Sequence, residues 1–126
     1  MSKILYVDTK AHGKDKVIDP GELDKPNILE RAAYDEAFVL NANTKQLYNK
    51  ALFNVLRALK KGSKCEITME TNDDAIKVGE EGKIAGFITA EISGSKVILT
   101  KWNIILLLII IKIKSYYRLL IFNSKT

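Results

Sequence analysis

Thr44-Lys45-Gln46-Leu47-Tyr48-Asn49-Lys50-Ala51-Leu52-Phe53-Asn54-Val55-Leu56-Arg57-Ala58-Leu59-Lys60-Lys61-Gly62 is the most decisive pattern in this chain of 126 residues. Leu47, Tyr48, Ala51, Leu52, Val55, Leu56 and Leu59 recur at spacings of three and four, which predicts an amphipathic helix over about 44–61 with one buried stripe. Asn43 or Thr44 is placed to cap its first turn, Lys60 and Lys61 sit at the negative end of its dipole, and Gly62 is placed to stop it.

Strand patterns surround this helix. Downstream, Cys65 to Thr71 alternates, with Cys65, Ile67 and Met69 on one side and Glu66, Thr68 and Glu70 on the other, before Asn72-Asp73-Asp74 ends the run. Two further strands, about Ile84–Ile92 and Lys96–Thr100, flank the turn chemistry of Ser93-Gly94-Ser95. Gly79 and Gly82 are expected to cut short any helix between. Upstream, Lys3 to Asp8 reads as a short buried strand, and residues 9–26, broken by Gly13, Pro20, Gly21 and Pro26, as a loop. Residues 27–42 read as a helical turn followed by a strand. The sum predicts an α/β fold: a small mixed or antiparallel sheet with helices packed on one face, and an aliphatic C-terminal tail outside the core plan.

The tail sets the domain boundary. Residues 1–102 form a compact body and residues 103–126 an aliphatic, basic tail. Nearly every residue of that tail is Asn, Ile, Leu, Lys, Tyr or Phe, the set that A and T alone encode, as reading past an exon end in an A+T-rich genome would produce. A transmembrane span is disfavoured, because Lys112, Lys114 and Arg118 together cost roughly 8–10 kcal/mol against roughly 4–8 recovered from the apolar residues. A surface-lying membrane contact or a partner contact stays open for the tail. The start has no signal-like apolar run, and Cys65 is the lone cysteine, so a reducing, cytoplasmic or nuclear setting is expected.

Catalytic and metal chemistry is thin. One cysteine and one histidine, His12, leave no set of thiolate and imidazole zinc ligands, and no metal or cofactor is implied. His12-Gly13-Lys14 lacks the other residues of a phosphate-cradling loop and reads as surface. Cys65 reads as core packing.

Charge is more informative. The chain's net +5 comes entirely from Lys101, Lys112, Lys114, Arg118 and Lys125, since Lys plus Arg and Asp plus Glu cancel over residues 1–100. Within the body, residues 41–64 carry Lys45, Lys50, Arg57, Lys60, Lys61 and Lys64 with no acid. Gln46, Lys50, Phe53, Arg57 and Lys60 or Lys61 share the helix face opposite the apolar stripe, which predicts a phosphate-binding face for DNA or RNA.

The run from Asp35 to Leu52, with Lys61-Gly62-Ser63, Glu66-Ile67, Ala75-Ile76 and Val97 to Lys101, resembles the Alba-type family of chromatin and RNA-binding proteins over residues 35–101. That resemblance implies a small homodimer binding nucleic acid through a basic loop and a hairpin arm. Asn43, Lys45 and Lys50 match its contact positions, and Arg57, Lys60, Lys61 and Lys64 extend the predicted nucleic-acid-binding set. A second resemblance, over Asn54 to Ile76, is to ribonuclease H-like domains, in which Asp8 and Asp73 or Asp74 would converge on metal. The glutamate that plan requires on the helix is missing. The reading reached from sequence is therefore a small non-enzymatic nucleic-acid-binding domain. A catalytically divergent ribonuclease H-like domain and a protein-interaction domain with a membrane- or partner-seeking tail are its alternatives.

Overall fold

A computed structural model describes residues 2–13, 15–103 and 108–115. In chain order the elements are β1 (Ile4–Val7), β2 (Lys16–Ile18), β3 (Tyr34–Val39), α1 (Asn49–Ala58), β4 (Leu59–Thr68), α2 (Asn72–Ala85), β5 (Thr89–Ser93) and β6 (Lys96–Thr100). A last helix, α3, occupies 108–115, and a 3-10 turn lies at Pro20–Glu22. The strands form one sheet in the order β2-β1-β3-β4-β6-β5. The first four are parallel, and β6 runs antiparallel between β4 and β5. The predicted α/β class, with a mixed sheet and an aliphatic tail outside the core, is the observed one.

Handedness decides which face the helices cover. β3 to β4 and β4 to the β5–β6 pair both step toward the same edge, so right-handed crossovers lay α1 and α2 on one face. There Leu52, Val55 and Ala58 of α1 and Ala75 and Val78 of α2 meet Leu5, Val7, Val39, Ile67, Val97 and Leu99, all fully or almost fully buried. β2 to β3 steps the same way over β1, and its connection packs on that face too, with Leu23 buried and its carbonyl accepting from Asn54 Nδ2 at 2.7 Å. Among the connections between parallel strands, β1 to β2 alone steps the other way. A helix there would cover the second face, but the described residues between β1 and β2 form none. Among the described residues no helix covers the second face.

Several local expectations need correction. Asn43 and Gln46 do exchange capping bonds, Asn43 N donating to Gln46 Oε1 and Gln46 N to Asn43 Oδ1, each at 3.0 Å. They close a separate turn, however, and the extended backbone of Tyr48 (φ −93°, ψ 175°) precedes α1. The helix then stops at Ala58 rather than Lys61, because Leu59 already pairs with Tyr34 in the sheet. Lys60, Lys61 and Gly62 accordingly belong to β4. The residues read as one loop, 9–26, contain β2.

α2 was expected to break at its glycines, yet it runs through both. Gly79 and Gly82 are buried against the hairpin, and a Cβ at Gly82 would lie 2.6 Å from both Leu99 methyl groups. The glycines set how close α2 comes to β6. Gly82→Ala is expected to destabilise the fold by about 1–3 kcal/mol, measured by urea unfolding. Combined with Leu99→Ala it should cost clearly less than the sum of the single substitutions, since the second change removes the clash. Additive costs would mean that the helix does not rest on Leu99.

Candidate functional site

In an open α/β sheet the place for a ligand is the crevice outside the carboxyl ends of the strands, where the strand order reverses direction. Here that point lies between β1 and β3, whose chain ends are Val7-Asp8 and Val39-Leu40-Asn41. β1 is followed at once by the polar Asp8, and β3 by Leu40 and then the polar Asn41.

Asp8 occupies the crevice. It is 3% exposed, and its carboxylate accepts from Thr9 N at 2.7 Å and Asn41 Nδ2 at 2.8 Å on Oδ1. Its Oδ2 pairs with His12 Nε2 at 2.6 Å. Asn41 holds φ at 53°, in the left-handed region that asparagine tolerates better than most residues, and this turns its amide back toward β1. The bond from Asn41, then that from His12, holds the Asp8 carboxyl down at about 2, against the opposing cost of burial. The His12 ring in turn stacks on Tyr6 at 4.0 Å with the planes 1° apart, and Tyr6 stacks on Phe38 at 5.6 Å.

Beside this cluster, a groove of about 490 Å³ runs between the carboxyl ends of β3 and β4, bounded by Leu40, Asn41, Asn43, Thr68, Met69 and Glu70. A larger hollow, about 830 Å³, lies at the opposite, amino edge and is crossed by the Lys3–Glu30 ion pair. Cys65 is fully buried in the core, and burial pushes its thiol up to about 12.

The residues predicted to bind nucleic acid are not brought together. Asn43 and Lys45 lie in the β3–α1 turn at the carboxyl edge, and Lys50 in the first turn of α1. Arg57 ends α1 at the other edge. Lys60 pairs with Asp35 at 3.1 Å, Lys61 sits 5.3 Å over the Trp102 ring, and Lys64 opens onto the sheet face without helices. The single basic helix face dissolves because Lys60 and Lys61, which were to complete it, are in β4. Asp8 does not meet Asp73 or Asp74, which occupy the first turn of α2. Among the described residues no group of three acidic, histidine or cysteine side chains could hold a metal, and no helix is long and apolar enough to cross a membrane.

Parallel strands, a reversal between β1 and β3, and an antiparallel strand inserted near one edge define a Rossmann-like sheet of the kind found in S-adenosylmethionine-dependent methyltransferases. The methyltransferase SibL in its apo form is similar in fold, with a TM-score of 0.51 at 9% identity over 72% of this chain. The T. thermophilus 16S rRNA N2 G1207 methyltransferase, in complex with AdoMet and guanosine, gives 0.50 at 13% identity over 82%. The chain spans only 37% and 36% of those two proteins. No family model and no curated protein matches its sequence.

These likenesses overturn both sequence resemblances. The Alba-like stretch is real as strand, turn and helix, but it joins parallel strands of a methyltransferase-like sheet. In the ribonuclease H plan β1 would be central, with antiparallel hairpins about it; here β1 lies between the parallel β2 and β3. The nucleic-acid-binding function inferred from the Alba resemblance falls with it.

His12 and Asn41 are the residues that sequence reasoning missed. The available signal was a polar residue directly after each buried apolar run, Val7-Asp8 and Leu40-Asn41. Because the Asp8 carboxyl is held below its ordinary value of 3.8, its contribution to stability is present at neutral pH and is lost as pH falls through about 4 to about 2. Asp8→Ala is expected to lower stability at pH 7 by about 2 kcal/mol and to remove that part of the acid limb, followed by urea unfolding between pH 2 and 7. An unchanged acid limb would show that the carboxylate is not held in this way.

Proposed function

We propose that this chain is a methyltransferase-like domain that binds a ligand without transferring methyl groups and does not take up S-adenosylmethionine. The observation that carries this reading is the Asp8 carboxylate lying across the crevice between β1 and β3, with both oxygens bonded to the domain's own groups. A cofactor seated there needs backbone approach at the end of β1, commonly provided by glycines. The segment Asp8-Thr9-Lys10-Ala11-His12 has none before Gly13, and the Thr9 amide is already committed to Asp8. The residues present therefore do not fit S-adenosylmethionine.

What remains concave at the carboxyl edge is the neighbouring groove. Its volume falls within the range of small-ligand sites, and its lining mixes the apolar Leu40 and Met69 with the hydrogen-bonding Asn43, Thr68 and Glu70. That composition suits a small ligand rich in hydrogen-bond donors. Titration with S-adenosylmethionine, followed by calorimetry and by amide chemical shifts of Asp8 to His12, is expected to show no binding at concentrations up to about 1 mM, where a dissociation constant corresponds to about −4 kcal/mol. A micromolar dissociation constant with shifts at Thr9 and Asn41 would overturn the proposal.

A further inference from the structure

Both faces of a sheet with parallel strands are ordinarily covered, because backbone and side chains on either side are otherwise left in water. On the open face here, strand register aligns one row straight across the sheet: Val17, Tyr6, Phe38, Glu66, Ile98 and Glu91. Four of the six are apolar or aromatic, and Tyr6 and Phe38 stack. A shallow groove of about 200 Å³ runs between Phe38, Glu66 and Ile98. The same chain carries a second uncovered apolar surface, α3, whose Leu108, Ile109, Ile111 and Ile113 are each at least half exposed.

We infer that α3 docks on the open face of its own sheet, across the row from Tyr6 to Ile98. The lengths agree. Eight residues of helix extend about 12 Å, and the row from β1 to β6 crosses three strand spacings, about 14 Å. The reach also agrees. The chain leaves β6 beside Gly62, whose amide donates to the Trp102 carbonyl at 3.2 Å. The row lies about 13 Å back along β6 from Trp102. The steps from Asn103 to Leu108 can cover about 17 Å. Charge complements the fit: Lys112 and Lys114 interrupt the apolar surface of α3, and Ile98 on the row is flanked by Glu91 and by Glu66, the latter already paired with Lys96 at 3.7 Å. Docking would cover the face left bare by the missing helix between β1 and β2. It would also explain why so aliphatic a segment carries regularly placed cations.

The test is photocrosslinking of the full chain with a benzophenone amino acid replacing Phe38 and, in a second variant, Ile98, followed by peptide mapping. Mixing isotopically labelled and unlabelled protein separates crosslinks within a chain from those between chains. Crosslinks from either position to residues 108–115 of the same chain are expected, and Ile109→Asp with Ile113→Asp should reduce their yield at least about fivefold. Crosslinks confined to a second copy would overturn the proposal in favour of a dimer built on this face. Crosslinks to other segments only, or none from a folded variant, would also overturn it. The readout does not involve the carboxyl-edge crevice, so binding of S-adenosylmethionine would leave this inference standing.

Discussion

The handedness of the crossovers is the constraint on which the rest of this structure depends. A right-handed strand–helix–strand unit can pack its helix on only one side of the sheet for a given direction of travel. In this chain every helical connection travels the same way. One face therefore receives the whole apolar stripe of α1, the glycine-lined contact of α2 and the buried Leu23. On the other face, the described residues of the β1–β2 connection lay the His12 imidazole flat on Tyr6.

The same short connection shapes the candidate site. With no helix between β1 and β2, there is no helix amino terminus to present free backbone amides to a ligand at the end of β1. Asp8 instead turns inward and satisfies the Thr9 amide, and Asn41 and His12 complete its shell. Such a carboxylate is a structural pin: it ties the end of β1 to the end of β3 at the point where the strand order reverses. Burial of its charge is tolerable because each oxygen has partners, the arrangement that also keeps it ionised. The absent helix thus accounts both for the bare sheet face and for the closed crevice. The open groove between β3 and β4 is displaced from the switch point by one strand.

Periodicity by itself determined that an amphipathic helix follows a strand, that a hairpin closes the body near Thr100, and that the aliphatic segment lies outside the core plan. Those features are local: an apolar stripe, a Ser-Gly-Ser turn and a change of composition are all written in consecutive residues. Where that helix ends was decided by tertiary structure, since pairing of Leu59 with Tyr34 outweighs a helical pattern that runs on to Lys61. The straight passage of α2 through Gly79 and Gly82 was decided in the same way, because intrinsic propensity counts against these glycines and only the proximity of Ile92 and Leu99 explains them. Strand order was the largest element hidden from the sequence. Pairing of β1 with β3 joins residues more than thirty positions apart, and no pattern in either strand names its partner. The site followed strand order into obscurity: Asp8, His12 and Asn41 become one cluster only when β1 and β3 lie side by side, while the cations of residues 45–64, contiguous in the chain, are parted by the turn from α1 into β4.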